Sequence, residues 1–167
     1  TLLQPDSLKD PAFGDAIRLL QPDLIVVVAF RILPPSIFAI PRLGAFNLHA
    51  SLLPRYRGAA PINWAIINGE TETGVTTFVL QEKVDTGGIL LQRRMPILPA
   101  DDAGSVHDRL AQLGADMVLE TVRLMAGGGA QPKRQDDTLA TPAPRIFRDD
   151  CRIDWNRPAR EIANLIR

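Results

Sequence analysis

The stretch Asp23-Leu-Ile-Val-Val-Val-Ala-Phe30 is a continuous apolar run that is rich in β-branched residues. Such residues favour strands, and a strand without polar alternation is typical of one that is covered on both faces. Helices packed on the two faces of a parallel sheet provide that cover. The stretch therefore predicts a buried strand of an α/β domain.

The chain on either side of this run alternates between helical and strand patterns. We predict further strands at 44–49, 73–80 and 88–95, a short helical turn at 37–40, and helices at 6–20, 61–68, 103–126 and 158–167. Residues 130–154 are polar and interrupted by prolines, which predicts an extended connector. Together these patterns predict an α/β fold with a Rossmann-like, mostly parallel sheet and flanking helices, followed by an extended linker.

The composition excludes several kinds of protein. The 167 residues include 19 Lys and Arg and 19 Asp and Glu, so the formal net charge is zero. A neutral chain is not one whose whole surface binds nucleic acid or anionic lipid. Cys151 is the only cysteine, and His49 and His107 are the only histidines, which excludes a disulfide framework and a three-histidine metal site. We predict no metal, no membrane span and a cytoplasmic protein.

The densest group of chemically useful residues follows the strand at 44–49. Asn47 and His49 are two positions apart, so on a strand their side chains point to the same face. The amide can donate a hydrogen bond to a developing oxyanion, and the imidazole can donate or exchange a proton. The strand period alone favours an ordinary structural role, in which Asn47 caps the strand and His49 bonds to a backbone carbonyl.

Asp85 is the third candidate, in the turn Lys83-Val-Asp-Thr-Gly-Gly88 between two predicted strands. A carboxylate beside His49 would orient the imidazole ring and could receive a proton through water. An Asx turn before Thr86 and Gly87 explains the same residue without chemistry. The spacing alone does not decide between these interpretations.

Longer motifs add to this pattern. The string Asn47-Leu-His-Ala-Ser-Leu-Leu-Pro-Arg-Tyr-Arg-Gly58, followed by Asp85-Thr-Gly87, resembles the formyltransferase family that uses 10-formyltetrahydrofolate. Leu139-Ala-Thr-Pro-Ala-Pro-Arg145 and Arg152-Ile-Asp-Trp155 are similar to the branch of that family whose formyl acceptor is initiator methionyl-tRNA. The resemblance extends over nearly the whole chain. It implies that Asn47, His49 and Asp85 form the catalytic set.

The resemblance also implies the substrates and the surfaces that meet them. Ser51, Leu52, Leu53 and Pro54 match the stretch that lies against the folate in this family. The co-substrate would be 10-formyltetrahydrofolate, with no metal, and the partner would be initiator methionyl-tRNA. We expect a monomer that makes no membrane contact.

The same resemblance predicts the organisation of the chain. Residues 1–129 would form a partial catalytic domain that lacks the family's N-terminal units, and residues 130–154 would form the connector. Residues 155–167 would begin the helix that leads to a C-terminal domain outside this sequence.

Arg55 and Arg57 lie in the loop between the predicted strand at 44–49 and the helix at 61–68. Guanidinium groups suit phosphate oxygens, so both could contact the acceptor end of a tRNA. Solvated loop charges or surface ion pairs account for them equally well.

Two other functions remain open. A relative that formylates an amino sugar or a purine precursor would use the same three catalytic residues. A domain that binds folate or RNA without catalysis would need no such set. We therefore expect formyl transfer and take the acceptor as the point to be tested.

Overall fold

A computed structural model describes residues 1–167 and contains five α-helices, four strands and two short 3₁₀ helices. In chain order the elements are α1 (Pro11–Leu19), β1 (Ile25–Val28), α2 (Pro35–Phe38), β2 (Ala45–His49), α3 (Pro61–Ile67), β3 (Glu72–Val79), β4 (Ile89–Pro96), α4 (Ala103–Ala126), the 3₁₀ helices Asp137–Leu139 and Arg148–Cys151, and α5 (Ala159–Ile166). Every predicted helix and strand is present, and α4 has the predicted bounds.

The four strands form one sheet in the order β1-β2-β3-β4. β1 and β2 are parallel, whereas β2–β3 and β3–β4 are antiparallel. The α/β class with flanking helices is confirmed, but the expectation of a mostly parallel sheet is wrong for this chain. For β3 and β4 the physical reason is their connection, because the turn between them is too short for the crossover that a parallel pair requires.

The prediction that the run at 23–30 is covered on both faces is also wrong. β1 is an edge strand whose only neighbour in the sheet is β2. Val26 is 39% exposed and Val28 is 51% exposed, whereas Val27 points inward and is buried. The apolar run correctly predicts a strand, but the face that carries Val26 and Val28 is left open.

The main core lies between the sheet and the long helix α4. Asp102 caps this helix, because its carboxylate accepts from the Ser105 N–H while the Ser105 hydroxyl accepts from the Asp102 N–H. The buried face of α4 includes Val106, Leu110 and Met117, each at most 2% exposed. Burying an apolar side chain of this size contributes about 1.5–3 kcal/mol to stability. The helix thereby covers the face of the sheet opposite the candidate site.

The predicted connector is not a free linker, because it packs against the loops that follow the strands. Its backbone makes isolated β-bridges between Pro142 and Arg57 and between Lys133 and Ile89. The carbonyl of Arg167, at the end of α5, accepts a hydrogen bond from the Ala103 N–H at the start of α4. No helix of the structure has the length and apolar character needed to cross a membrane.

Candidate active site

β2 places the first two candidate residues on one face of the sheet. Asn47 lies between Val27 of β1 and Phe78 of β3, and His49 pairs with Thr76. The alternate residues of β2 point toward α4, where the Leu48 side chain leaves so little space that the facing helix position is Gly114. The pleat of β2 therefore separates the core residues from the polar ones, as its i, i+2 pattern predicts.

His49 is buried, and both of its ring nitrogens have a neighbour. Nε2 donates a hydrogen bond of 2.7 Å to the carbonyl oxygen of Tyr56. Because a carbonyl can only accept, this contact assigns a proton to Nε2. The other nitrogen, Nδ1, lies 3.9 Å from Oδ2 of Asp85. The backbone-carbonyl bond expected for a structural histidine is thus present together with the carboxylate expected for a catalytic one.

Asp85 is held at the site through its backbone and its side chain. It adopts a left-handed conformation with φ +55°, which Asp tolerates better than most residues. Its Oδ2 accepts a hydrogen bond of 2.9 Å from the backbone N–H of Gly58. The side chain is only 9% exposed, so the carboxylate lies next to His49 at a site that is largely shielded from solvent.

Position 58, whose backbone N–H donates to Asp85, requires a glycine. Its φ is +128°, a conformation that L-residues with a side chain rarely adopt. A Cβ at this position would lie 2.5 Å from the backbone oxygen of Ala143 in the connector. The absence of a side chain lets the loop after β2 approach both the connector and the turn that carries Asp85.

Asn47 differs from its two partners because its side chain makes no hydrogen bond within the chain. It is half-buried on the same face as His49. Its amide is therefore free to donate to a ligand. The structure therefore brings together an amide without a hydrogen-bond partner, an imidazole and a carboxylate.

The segment from Ser51 to Pro54 splits into buried and partly exposed members. Ser51 is fully buried, and its hydroxyl donates to the carbonyl of Arg55 at 2.6 Å. Leu53 is buried as well, whereas Leu52 and Pro54 are half-buried. The side chains of Ser51 and Leu53 thus build the loop, and those of Leu52 and Pro54 are the ones available at its surface.

Two polar side chains that the sequence did not single out fix this segment. The Thr76 hydroxyl donates to the Ser51 carbonyl and accepts from the Leu53 N–H. Gln92 of β4 donates from Nε2 to both the Leu53 carbonyl and the Thr76 hydroxyl, at 3.0 and 2.9 Å. Their positions on β3 and β4 could have identified them from the sequence, because both lie on the face of the sheet that His49 occupies.

Tyr56, which accepts from His49, is itself anchored by Glu70. Its hydroxyl donates to the Glu70 carboxylate at 2.6 Å. Burial and this hydrogen bond raise the pKa of the Tyr56 hydroxyl. The tyrosine is therefore a neutral support for the loop across the ordinary pH range.

Arg55 and Arg57 both make ion pairs, so the ion-pair interpretation of these residues is the one that the structure favours. Arg55 is half-exposed and pairs with Glu70. Arg57 is only 14% exposed and pairs with Asp137 of the connector at 2.7 Å. The hydrogen bond from Arg57 lowers the pKa of the Asp137 carboxyl.

A cleft of about 550 Å³ opens beside the Asp85 turn. Lys83 and Thr86 of the turn line it together with Arg134 and Gln135 of the connector. Its volume lies within the range of about 300–1,000 Å³ that is usual for small-molecule sites. The structure brings no group of three or more His, Cys, Asp or Glu side chains into a metal-binding arrangement.

An α/β domain that brings an amide, an imidazole and a carboxylate together on one face of its sheet has the features of a group-transfer enzyme that acts at a carbonyl carbon. The family model described as formyl transferase matches residues 1–122. The chain therefore belongs to the formyl transferase family, which confirms the family predicted from the motifs.

Individual relatives agree with this assignment. The methionyl-tRNA formyltransferase of Chlorobium phaeovibrioides is 54% identical over 166 residues, which are 99% of this chain and 52% of that protein. The methionyl-tRNA formyltransferase of Bacteroides thetaiotaomicron is 54% identical over 170 residues, or 99% of this chain and 53% of that protein. The chain thus spans about half the length of the curated relatives it matches.

A solved structure has the same fold. The N-formyltransferase from Helicobacter canadensis, determined with folinic acid and dTDP-3-aminofucose, is 26% identical with a TM-score of 0.71. The match covers 82% of this chain and 51% of that chain. The likeness thus extends to a formyltransferase whose structure contains a nucleotide-linked amino sugar.

Proposed function

We propose that the protein transfers the formyl group of 10-formyltetrahydrofolate to the α-amino group of initiator methionyl-tRNA. The observation that supports this most is the buried pair of His49 Nδ1 and Asp85 Oδ2, 3.9 Å apart, on the same side of the sheet as the unengaged Asn47 amide. Asn47, His49 and Asp85 are then the catalytic residues.

The reaction needs charge stabilisation and proton movement. The amine nitrogen forms a bond to the formyl carbon, whose carbonyl oxygen becomes an oxyanion while the nitrogen becomes an ammonium. The bond from that carbon to the folate N10 then breaks, and N10 receives the proton that the ammonium loses. The products are formyl-methionyl-tRNA and tetrahydrofolate, so atoms and charges balance.

Each of the three groups suits one requirement of this reaction. The Asn47 amide donates to the oxyanion, and such a donor is worth on the order of 10²–10³ in rate. Nε2 of His49 is bonded to the Tyr56 carbonyl, so Nδ1 is the ring nitrogen left to exchange a proton with the reacting groups. The Asp85 carboxylate, whose Oδ2 lies 3.9 Å from Nδ1 of His49, accepts the ammonium proton and passes it toward N10.

The folate would lie against the segment Ser51, Leu52, Leu53 and Pro54, as the family resemblance implies. Leu52 and Pro54 would contact it directly, because their side chains are partly exposed. Ser51 and Leu53 would hold the segment in shape from beneath, where their polar groups bond to Arg55, Thr76 and Gln92.

The acceptor is supported by the relatives rather than by the catalytic groups. The 54% identity is to proteins named methionyl-tRNA formyltransferase, whereas the structure with an aminofucose nucleotide is 26% identical.

We also propose residues 1–129 as the catalytic domain, 130–154 as a connector and 155–167 as the start of a helix leading to a further domain.

An acceptor panel tests the proposal. The natural full-length protein is incubated with 10-formyltetrahydrofolate and one of three amines: initiator methionyl-tRNA, a dTDP-amino sugar or an amine precursor of purines. We expect kcat/KM for methionyl-tRNA to exceed the other two by at least about 10³, since sites built to bind polar substrate groups reject analogues that lack them by about 10⁴–10⁵. Uncharged initiator tRNA is the control, since it offers no α-amino group.

Each other outcome contradicts a defined part of the proposal. Formylation of the amino sugar but not of methionyl-tRNA would assign the chain to the sugar-modifying branch of the family. Folate binding without transfer to any of the three amines would support a binding domain instead of an enzyme.

A further inference from the structure

Gln135 of the connector is buried and uses every hydrogen-bonding position of its side chain. Its Nε2 donates to the backbone carbonyls of Asp85 and Gly87, at 3.0 and 2.8 Å. Its Oε1 accepts from Nε and Nη2 of Arg57, at 3.1 and 2.7 Å. The amide has two donor hydrogens and two acceptor lone pairs, so this one residue of the connector is fully satisfied by two other parts of the chain.

These two parts are the ones that hold the catalytic carboxylate. The carbonyls of Asp85 and Gly87 belong to the turn that gives Asp85 its left-handed conformation. Arg57 directly precedes Gly58, whose N–H donates to Oδ2 of Asp85. Gln135 therefore joins the backbone of the carboxylate to the loop that supplies its hydrogen-bond donor.

Arg57 is not free to swing away from this arrangement. Its guanidinium also pairs with Asp137, two residues after Gln135. Its backbone is fixed to the connector as well, since its N–H donates to the Thr141 carbonyl and its carbonyl accepts from the Ala143 N–H, at 2.9 and 2.7 Å. The part of the connector that follows Gln135 thus also holds the loop in place.

The chemistry of the contact is specific to a glutamine. A glutamate would turn an oxygen toward the two carbonyls, where only a donor is tolerated. A methionine would keep the approximate volume while leaving two buried carbonyls without a partner. The turn would then lose the constraint that fixes the Asp85 carboxylate opposite His49.

We propose that Gln135 is a positioning residue for formyl transfer, which acts by holding the Asp85 turn against the Arg57–Gly58 loop. The inference rests on the proposed function for the reaction concerned. It makes the connector part of the catalytic centre, although no residue of the connector touches the reacting atoms. Displacing a catalytic group by about 1 Å can cost on the order of 10²-fold in rate.

Steady-state kinetics of the Gln135→Met and Gln135→Glu variants of the natural full-length protein test the proposal. We expect kcat for formyl transfer to fall by about 10- to 100-fold in both, with KM for each substrate within about threefold of its original value. Gln131→Met is the matched control, because it makes the same substitution at an exposed site of the same connector. A normal kcat in both Gln135 variants, or a loss confined to KM, would overturn the assignment.

Hydrogen exchange provides a readout that does not depend on activity. Peptides covering 83–88 should exchange faster in Gln135→Met, while peptides from β2 and β3 keep their protection and show that the sheet is folded. If the original protein transfers no formyl group, the proposed function fails while exchange still decides the role of Gln135. Unchanged exchange in the turn would show that Gln135 does not hold it.

Discussion

His49→Ala should lower the rate of formyl transfer by about 10³-fold while folate affinity changes little. The substitution removes the only imidazole beside Asn47 and Asp85, and groups of this kind contribute about 10²–10⁴-fold as acids or bases. The single-turnover rate at saturating 10-formyltetrahydrofolate measures the chemical step, and fluorescence titration with tetrahydrofolate measures binding. His49 lies deep on the sheet rather than on the partly exposed surface of Leu52 and Pro54, which is why binding should persist.

The chain contains its own control for this prediction. His107, the other histidine, is exposed on α4 and contacts only its neighbour Asp108. His107→Ala should retain the original rate. A near-normal rate in His49→Ala would remove the imidazole from the mechanism.

Asp85→Asn should be the second most damaging substitution, with a loss of at least about 10²-fold. Asn has nearly the same size, tolerates the left-handed φ of +55° and can still accept from the Gly58 N–H. It is neutral, so it cannot receive the ammonium proton. The measurement is the single-turnover rate, compared with the thermal midpoint of the same preparation, which should shift by no more than a few degrees.

Asp116→Asn, at an exposed site on α4, is the matched control for the charge change. It should leave both the rate and the midpoint unchanged. An Asp85→Asn variant that transferred formyl groups at the original rate would show that the carboxylate acts only as a structural acceptor for Gly58.

The sequence predicted the helices and strands more accurately than the arrangement of the sheet. The bounds of α4 agree because its apolar spacing, the Asp102 cap and the Gly127 terminus all mark the same ends. The run at 23–30 predicted a strand, but the exposure of Val26 depends on what packs over that face of the sheet, and no local pattern encodes that. The seven-residue connection from 81 to 87 was the signal for an antiparallel pair.

The same limit applies to the site. Asn47 and His49 could be paired from the strand period alone, since i and i+2 share a face. Their proximity to Asp85 depends on the β3–β4 turn folding back over β2, which motif resemblance predicted and spacing did not. Gln135 had no local signal, because a single polar residue in a polar connector reveals its burial only when the connector packs.

A crystal structure of the natural full-length protein with tetrahydrofolate tests the central claim most directly. The account predicts that N10 of the folate lies on the Asn47 and His49 face of β2, with the formyl position about 3–3.5 Å from the Asn47 amide and within reach of the Asp85 carboxylate directly or through one water. The pterin or its linker should contact Leu52 and Pro54. A folate bound with N10 away from Asn47, His49 and Asp85 would contradict the assignment of these three residues as the centre of formyl transfer.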